Sequence, residues 1–450
     1  MIASEIFEKY ARISVPRYTS YPTAPHFRPN FPEARYREWL AQLDPDEPVS
    51  LYLHIPFCRK MCWYCGCNMK LAYRREPIAE YISNLLAEID LVADAMPARM
   101  KVSHLHFGGG TPTVLNPEQL ETIMSRLRER YSLATHVEAS IECDPRTVKK
   151  DTIDAIGSLG FTRASFGVQE FDPLVQSAIN RIQPPQMVED TVRRFRAAGV
   201  HNINFDLIYG LPKQTVKSIR STIERCVAMQ PDRLALFGYA HVPWFAANQR
   251  KIDNRDLPDA TQRHAMFVAA KRMLADAGYA AIGLDHFALP ADTLAIAART
   301  GKLHRNFQGY TADSAHTVVG LGASSIGTTP SGYVQNVAET GAWARRLKSG
   351  LLPIARGYEL SSDDKLRAAV IEQVMCQGKA DLVTAARNFG ISPDWYADAL
   401  PLLRSLAVDG VLTCTGGKLL VAEDASALVR VVASAFDKFL TSEVRHAVAV

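Results

Sequence analysis

The chain has 450 residues, with 51 lysines and arginines against 47 aspartates and glutamates, so its formal net charge is only +4. This weak charge argues neither for nor against binding to nucleic acid or to an anionic membrane. Hydrophobic residues make up 47% of the chain, which supplies a large core and excludes disorder as the main state. The length predicts two or three domains, or fewer if one is a barrel.

The N-terminal residues predict no targeting segment. Residues 1–10 include acidic side chains and lack the apolar stretch of a signal peptide. The sequence also contains no run of 18 apolar residues, which a membrane-spanning helix would need. We therefore expect a cytoplasmic protein.

Residues 1 to about 48 contain no long periodic segment. They include a turn-rich aromatic stretch, residues 16–27, with the sequence PRYTSYPTAPHF. This composition favours an ordered arm or a substrate-contacting loop over a separate domain.

Short apolar runs then alternate with longer amphipathic segments. The predicted strands are Ser50–Ile55, Ser103–Phe107, Val137–Glu142, Arg163–Gly167, Asn202–Tyr209 and Arg233–Tyr239. The predicted helices cover roughly 76–95, 117–130, 149–158, 172–180, 186–198 and 214–229. Strands that alternate with helices indicate a parallel sheet, and six such units suit either a doubly wound sheet or a partial barrel.

The tail, residues 361–450, contains helical patterns and a predicted hairpin over 410–421 with a Gly416-Gly417 turn. Helices followed by a hairpin are typical of a winged helix. DNA binding is one interpretation, and a structural or substrate-covering role is the other. No basic run accompanies the hairpin, which favours the second.

Four of the eight cysteines fall within ten positions, directly after the first predicted strand: Cys58, Cys62, Cys65 and Cys67. The other four are scattered, and we expect them to be small buried side chains. The spacing Cys-xxx-Cys-xx-Cys favours three thiolate ligands of an iron–sulfur cluster with one open iron. Zinc on all four cysteines would need a very tight loop, and Cys67 as a fourth ligand would close the cluster.

Each predicted strand ends in a polar or glycine-rich motif. The second strand leads into Gly108-Gly109-Gly110, where the backbone can approach a ligand closely. Later strands end near Glu142, Gln169 and Asp206. In a (β/α) barrel the active site lies at these carboxyl ends, so we expect one site that combines these residues with the cysteine loop.

These motifs together resemble the radical S-adenosylmethionine superfamily, and within it the oxygen-independent coproporphyrinogen III oxidases. The supporting segments, beyond the cysteine and glycine loops, are 17–23, 205–212, 239–241, 283–287 and 305–311. Haem-chaperone relatives typically lack the aromatic arm and have phenylalanine where Cys67 stands. Trp63, Phe237 and Gly238 depart from the expected pattern, and none of them is expected to carry chemistry.

The resemblance implies an α/β fold: a partial (β/α)6 TIM-like barrel with an N-terminal arm and a mainly helical, winged-helix-like C-terminal domain. It implies an arm over the active site at 1–48, a catalytic barrel with its extension at 49–330, a connecting segment at 331–360 and the helical domain at 361–450.

The implied activity is the oxidative decarboxylation of two propionates of coproporphyrinogen III to vinyl groups, which gives protoporphyrinogen IX in haem biosynthesis without oxygen. A 5′-deoxyadenosyl radical would start it. The implied cofactors are a 4Fe–4S cluster and two molecules of S-adenosylmethionine. We also expect an electron donor such as a flavodoxin or ferredoxin, a monomer, and no nucleic-acid or membrane partner. The alternatives are a haem-trafficking protein and a radical methyltransferase on the same scaffold.

Site residues follow from the resemblance, position by position. Cys58, Cys62 and Cys65 match cluster ligands. Our hypothesis for Cys67 is that it is not a ligand but is needed for turnover, and a small residue that packs under the loop is the alternative. Contacts of the first S-adenosylmethionine match Tyr52, Tyr64, Gly109, Glu142 and Ile326. Contacts of the second match Gly110, Thr111, Gln169, Arg181, Asp206 and Ala240. A solvated helix charge is the alternative interpretation of Arg181. Arg17, His286 and Arg305 are candidates for the substrate carboxylates by motif membership only, and a structural role is the alternative for each.

Overall fold

The computed structural model describes residues 4–11 and 13–440. Its helices are α1 Ser4–Ala11, α2 Glu33–Ala41, α3 Glu76–Asp94, α4 Pro117–Arg130, α5 Lys150–Ser158, α6 Pro173–Ala178, α7 Pro185–Ala197, α8 Val216–Ala228, α9 Ala260–Asp276, α10 Thr293–Arg299, α11 Thr340–Lys348, α12 Ser362–Gln377, α13 Leu382–Asn388, α14 Leu400–Val408 and α15 Val429–Ser434.

Its strands are β1 Arg28–Pro29, β2 Val49–Ile55, β3 Phe57–Cys58, β4 Lys70–Leu71, β5 Lys101–Gly109, β6 Ser132–Cys143, β7 Arg163–Gln169, β8 Asn202–Tyr209, β9 Arg233–Gly238, β10 Ala280–Ile282, β11 His286–Ala288, β12 His304–Asn306, β13 Gly309–Thr311, β14 Thr317–Leu321, β15 Ile326–Thr329, β16 Gly332–Asn336, β17 Ile354–Glu359, β18 Lys379–Asp381, β19 Leu412–Thr415 and β20 Lys418–Val421.

The chain forms two compact units, and each is discontinuous in sequence. One unit contains 28–277 and 315–358, and we call it the barrel unit. The other contains 1–27, 278–314 and 359–450, and we call it the terminal unit. These ranges cut across the four predicted segments, whose roles stay predictions.

The barrel unit is built on six parallel strands whose order in the sheet follows their order in the chain, from β2 through β5, β6, β7 and β8 to β9. All six predicted strands and the six predicted helices between them are confirmed, with small shifts at their ends. A doubly wound sheet would reverse its strand order at a switch point. The unbroken order instead gives the partial barrel.

Local sequence explains where these elements begin. Helix α4 begins at a capping box, in which Asn116 Oδ1 accepts from Gln119 N and Gln119 Oε1 accepts from Asn116 N. Pro117 occupies the first helical position. Its lack of a backbone N–H costs no hydrogen bond there, because an N–H at that position has no partner within the helix. Strand β8 places Ile203, Phe205 and Leu207 in the core, each fully buried, as the alternation of apolar residues predicts.

Strands that the sequence analysis did not predict continue the sheet beyond β2. Strand β14 pairs parallel with β2, and β15 and β16 follow in antiparallel pairs. Glu88 of α3 is buried at the end of β14, where it accepts hydrogen bonds from Gly322 N, Asn336 Nδ2 and Trp343 Nε1. Burial raises the pKa of Glu88 to about 8 despite these three donors.

The terminal unit packs the aromatic N-terminal stretch into a core shared with its C-terminal helices. Tyr10, Tyr18 and Tyr21 are buried there. Tyr10 Oη donates to Asp409, and Tyr18 Oη donates to Asp437. The described tyrosines of this segment are thus buried side chains, and the arm role of 1–48 stays a prediction. The short helices α1 and α2 were not predicted.

The C-terminal part has the winged-helix order of elements. Helix α12 leads into β18, then α13, α14 and the β19–β20 hairpin, and the three strands form one small sheet. The hairpin turns at Gly416-Gly417, where both φ angles are positive, so the predicted turn is confirmed. No helix in the described parts of the chain has the length and hydropathy to cross a membrane.

Candidate functional site

A cavity of about 290 Å³ in the barrel unit gathers most of the predicted site residues. It lies at the carboxyl ends of the parallel strands, between the cysteine loop and the ends of β5, β6, β7 and β8. Predicted site residues that line it are Cys58, Cys62, Tyr64, Cys65, Cys67, Gly109, Gly110, Thr111, Glu142, Gln169, Arg181 and Asp206. The expected meeting of strand ends and cysteine loop is thus confirmed geometrically.

The cysteine loop begins on a short strand that fixes its first thiol. Cys58 ends β3, which pairs parallel with β4. Its Sγ lies 3.3 Å from Thr111 Oγ1. Burial raises the pKa of Cys58 to about 12. This thiol is therefore neutral at pH 7 unless a cation binds beside it.

Two guanidinium groups face the second thiol. Arg146 Nη2 lies 3.2 Å and Arg181 Nη1 3.3 Å from Cys62 Sγ. Both arginines also contact Asp144: Arg146 Nη2 donates to Asp144 Oδ2 at 2.7 Å, and Arg181 Nη2 lies 3.5 Å from Oδ1. Burial opposes ionisation of Asp144, but Arg181 and Arg146 outweigh it and lower the pKa of Asp144 to about 2.

The third and fourth cysteines interact with each other. The Cys67 thiol donates to Cys65, which lowers the pKa of Cys65 and raises that of Cys67. The Cys67 backbone N–H also lies 3.5 Å from Cys65 Sγ. Cys65 therefore becomes a thiolate more easily than Cys58 or Cys67.

The donor set suits an anionic iron–sulfur cluster. Four thiols line one cavity, and two buried arginines supply positive charge beside them. Within 4–11 and 13–440 no three or more histidine, cysteine or acidic side chains are arranged to hold a single metal ion.

The glycine loop after β5 lies against the cysteine loop. A Cβ on Gly109, whose φ is +119°, would lie 2.8 Å from the His54 ring. A Cβ on Gly110 would lie 2.9 Å from Phe57 O. Gly109 N donates to Glu142 Oε2 at 3.1 Å, and His106 Nε2 lies 3.2 Å from Oε1. Only glycine fits at 109 and 110, and the loop orients the Glu142 carboxylate.

Strands β7 and β8, together with Arg181 from the loop after α6, supply another part of the wall. A Cβ on Gly167 would lie 2.8 Å from Gln169 Nε2 and 3.0 Å from Arg181 Nη2. Arg181 is 5% exposed, and its Nε is buried without a hydrogen-bond partner. The interpretation of Arg181 as a solvated helix charge is therefore wrong. Asp206 accepts from Ser165 Oγ at 2.9 Å and from Asn204 Nδ2 at 3.0 Å.

Three predicted site residues are not among those that line the cavity: Tyr52, Ala240 and Ile326. Tyr52 stacks on His106 with ring centroids 5.7 Å apart. A Cβ on Gly108 would meet both Glu142 and Tyr52, at 2.8 and 2.9 Å, so Tyr52 lies just behind the carboxylate. The Ala240 carbonyl accepts from Gln249 Nε2 at 3.2 Å, and Ile326 begins β15.

Sequence reasoning missed two residues of this site, Asp144 and Arg146. Both line the cavity. Asp144 lies two positions after Glu142, at the same carboxyl end of β6, so the rule that flagged Glu142 could have flagged it. Nothing in the sequence near Arg146 indicates that its side chain returns to Cys62.

The candidates for substrate carboxylates lie in the terminal unit. Arg305 Nη2 donates to Arg17 O at 3.3 Å, and its guanidinium stacks 4.3 Å from the Tyr310 ring centroid. His286 Nδ1 lies 2.7 Å from Asp285 Oδ1. Burial opposes ionisation of Asp285, yet its pKa is lowered by His286 and by the charges of Arg305 and Arg17. The three candidates thus belong to one electrostatic group.

Comparison with known proteins agrees with this geometry. Residues 52–226 match the model of the radical SAM superfamily. The chain is 46% identical over 437 residues to an oxygen-independent coproporphyrinogen III oxidase of Bradyrhizobium diazoefficiens, which covers 97% of each chain. It is 40% identical to the protein of that name from Salmonella typhimurium, over 98% of this chain and 96% of the relative.

A solved structure shows the same fold. Coproporphyrinogen III oxidase (HemN) from Escherichia coli, described as a radical SAM enzyme, superposes with a TM-score of 0.90 at 39% identity. The match covers 94% of this chain and 98% of that one. These values confirm the expected α/β fold and the family. The chain belongs to the oxygen-independent coproporphyrinogen III oxidases of the radical S-adenosylmethionine superfamily.

Proposed function

We propose that the cavity of the barrel unit is the active site for the oxidative decarboxylation of coproporphyrinogen III to protoporphyrinogen IX. The observation that carries this proposal is that the cysteine loop and the polar ends of four successive strands line one cavity. The names of the full-length relatives favour this activity over haem trafficking and over methyl transfer.

Cys58, Cys62 and Cys65 would hold the 4Fe–4S cluster and leave one iron open to S-adenosylmethionine. When bound, the cluster would supply one electron to S-adenosylmethionine, and the resulting radical chemistry would remove a hydrogen atom from a propionate of the substrate. Arg146 and Arg181 offset the negative charge of thiolate ligands, which bears most on Cys62 because both guanidinium groups donate to it.

Glu142 and Gly109 are the best supported contacts of the first S-adenosylmethionine. The Glu142 carboxylate is held by Gly109 N and keeps capacity to accept from ribose hydroxyls or an ammonium group. The Gly109 carbonyl and its lack of a side chain allow close approach. Tyr64 lines the same cavity, whereas Tyr52 and Ile326 rest on motif membership.

A second S-adenosylmethionine is proposed against the loop after β5 and the carboxyl ends of β7 and β8. Gly110, Thr111, Gln169, Arg181 and Asp206 all line the cavity. Arg181 has an unpaired buried Nε, which suits a ligand carboxylate, and Asp206 suits an ammonium or hydroxyl group. Ala240 rests on motif membership. The count of two is tested by equilibrium binding of labelled S-adenosylmethionine to the reconstituted protein.

The proposed partners are an electron donor such as a flavodoxin or ferredoxin and the porphyrinogen itself. The substrate carries four carboxylates, so cationic side chains should bind it, and Arg17, His286 and Arg305 are proposed for that role. We also propose that the enzyme acts as a monomer in the cytoplasm, without nucleic-acid or membrane partners.

The decisive experiment is anaerobic incubation of the reconstituted protein with coproporphyrinogen III, S-adenosylmethionine and a reductant. Fluorescence of the oxidised product would report protoporphyrin formation. Tight stoichiometric binding of haem without turnover would indicate the trafficking protein instead. A methylated product with S-adenosylhomocysteine would indicate the methyltransferase.

A further inference from the structure

Two adjacent amide side chains, Asn248 and Gln249, contact the backbone of the cysteine loop. They lie on a short 3₁₀ helix, Ala247–Lys251, in the segment between β9 and α9. This helix is separated from the cysteine loop by more than 180 residues of chain. The resemblance assigned neither residue a role.

Asn248 donates to three carbonyl groups of the loop. Its Nδ2 lies 3.2 Å from Cys62 O, 3.1 Å from Trp63 O and 2.8 Å from Cys65 O. Three acceptors around one atom require the amino group there, because a carbonyl oxygen in its place would face three like dipoles. The two hydrogens of the amide are shared among the three oxygens.

Gln249 binds the remaining carbonyl. Its Nε2 lies 2.8 Å from Tyr64 O and 3.2 Å from Ala240 O, and its Oε1 accepts from Val242 N at 2.6 Å. The side chain is 1% exposed, so water does not compete for these bonds. Gln249 therefore joins the cysteine loop to the loop that follows β9.

The consequence is that four consecutive carbonyls, from Cys62 to Cys65, are bound by two neighbouring side chains. This stretch of backbone belongs to no helix or strand. Its carbonyls are therefore satisfied by these side-chain hydrogen bonds instead of by the backbone hydrogen bonds of regular secondary structure. Fixing the backbone between two cysteines fixes the distance and direction between their thiols.

We propose that Asn248 and Gln249 are positioning residues that hold the Cys62–Cys65 backbone and thereby set the spacing of two cluster ligands. The proposal rests on the cluster ligands assigned above. In metal sites generally, residues that hydrogen-bond to the ligands orient those ligands without contacting the metal themselves.

The test compares Asn248→Asp and Asn248→Ala with Asn254→Asp in the reconstituted full-length protein. Asn248→Asp keeps the size of the side chain but replaces the donating amino group with a carboxylate oxygen. That oxygen would face three carbonyl oxygens and could donate to none of them. Asn254 is exposed six residues further along, so its variant adds the same charge nearby without contacting the loop. Asn248→Ala removes the donor without adding charge.

Iron loss to an anaerobic chelator is the first measurement. We expect about tenfold faster loss in both Asn248 variants and an unchanged rate in Asn254→Asp, since outer contacts of metal ligands alter affinity by about 10- to 100-fold. The second measurement is the cluster reduction potential. It should become more negative in Asn248→Asp than in Asn254→Asp, because the charge of the first is held against the ligand backbone.

Circular dichroism of each variant before reconstitution separates loss of the loop geometry from loss of the fold. If Asn248→Asp does not fold, Asn248→Ala alone decides the question. An unchanged rate of iron loss in Asn248→Ala would overturn the proposal. Absence of four irons in the unaltered protein would instead contradict the assigned cluster.

Discussion

Cys67 contacts Cys65 through both its thiol and its backbone N–H, yet it lies outside the predicted ligand triplet. A fourth thiolate on the cluster would occupy the iron that S-adenosylmethionine needs. A role beside the cluster stays our prediction: Cys67 lines the cavity, and its hydrogen bond lowers the pKa of Cys65, a predicted ligand. A small side chain that only packs in the loop is the alternative.

The variant Cys67→Ser tests this role, because it keeps the side-chain volume and removes the thiol chemistry. We expect a full complement of iron, a normal response of the cluster spectrum to S-adenosylmethionine, and at least about tenfold slower product formation. Cys414→Ser, in the hairpin of the terminal unit, is the matched control and should be silent. Loss of iron from Cys67→Ser would make Cys67 a ligand, and unchanged turnover would leave only packing.

Arg181 and Asn248 show what sequence could not supply at this scale. The motif placed Arg181 near a ligand carboxylate, but not against Cys62 Sγ and Asp144. Asn248 carries no motif signal, because its partners are backbone carbonyls more than 180 positions away. Every residue has a backbone carbonyl, so no residue type in the sequence indicates which carbonyls a side chain will contact.

Among the elements, the parallel strands and their helices were predictable and the extension of the sheet was not. Strands β2, β5, β6, β7, β8 and β9 are largely buried apolar runs separated by amphipathic helices, and that alternation is explicit in the sequence. Strands β14 to β16 are short, and glycine and threonine interrupt their apolar pattern. Helices α1 and α2 have eight and nine residues and lie before the strand–helix alternation, so no neighbouring pattern indicated them.

The buried Glu88 makes the stability of the α3–β14–α11 junction depend on pH. Its folded pKa of about 8 exceeds the ordinary value of 4.5, so the unfolded chain loses its proton first as pH rises. The free energy of unfolding should therefore fall between about pH 4.5 and pH 8, by at most about 1.4 kcal/mol per pH unit.

Denaturation of the unaltered protein and of Glu88→Gln at about pH 6 and about pH 8 measures this dependence. The unaltered protein should lose about 2 to 3 kcal/mol relative to the variant over that range. Exposed Glu118→Gln in the same unit should show no such change. An equal difference at both pH values would mean that Glu88 is ionised throughout.

The capping box of α4 gives a prediction about an element rather than a site. Asn116→Ala removes the acceptor for Gln119 N and should lower the free energy of unfolding by about 1 kcal/mol. Asn116→Asp keeps an acceptor at the helix N-terminus and should be close to neutral. Denaturant midpoints distinguish the two, and equal losses in both variants would show that the amide nitrogen matters instead.

For the whole molecule, the cluster should be dispensable for folding. The cysteine loop lies at the end of a sheet whose core is formed by fully buried apolar residues such as Leu51, Leu105 and Ile141. A variant with Cys58, Cys62 and Cys65 all changed to serine should bind no iron. Its far-ultraviolet circular dichroism should nevertheless match that of the unaltered protein.

Each single cysteine variant should also lose the cluster, since three ligands leave none to spare. A full iron complement in one of them would remove that residue from the ligand set. Loss of secondary structure when iron is removed from the unaltered protein would contradict the independence of fold and cluster. These outcomes are separable because iron content and circular dichroism are measured on the same samples.

The division of the terminal unit among three chain segments has a consequence for synthesis on the ribosome. Tyr10 and Tyr18 find their partners at Asp409 and Asp437, about 400 positions later. At about 5 to 20 residues per second, the aromatic N-terminal stretch must wait some 20 to 80 seconds for them. Throughout that interval a nascent chain presents unpaired tyrosines that the finished enzyme buries, so the first residues made are among the last to reach their native surroundings.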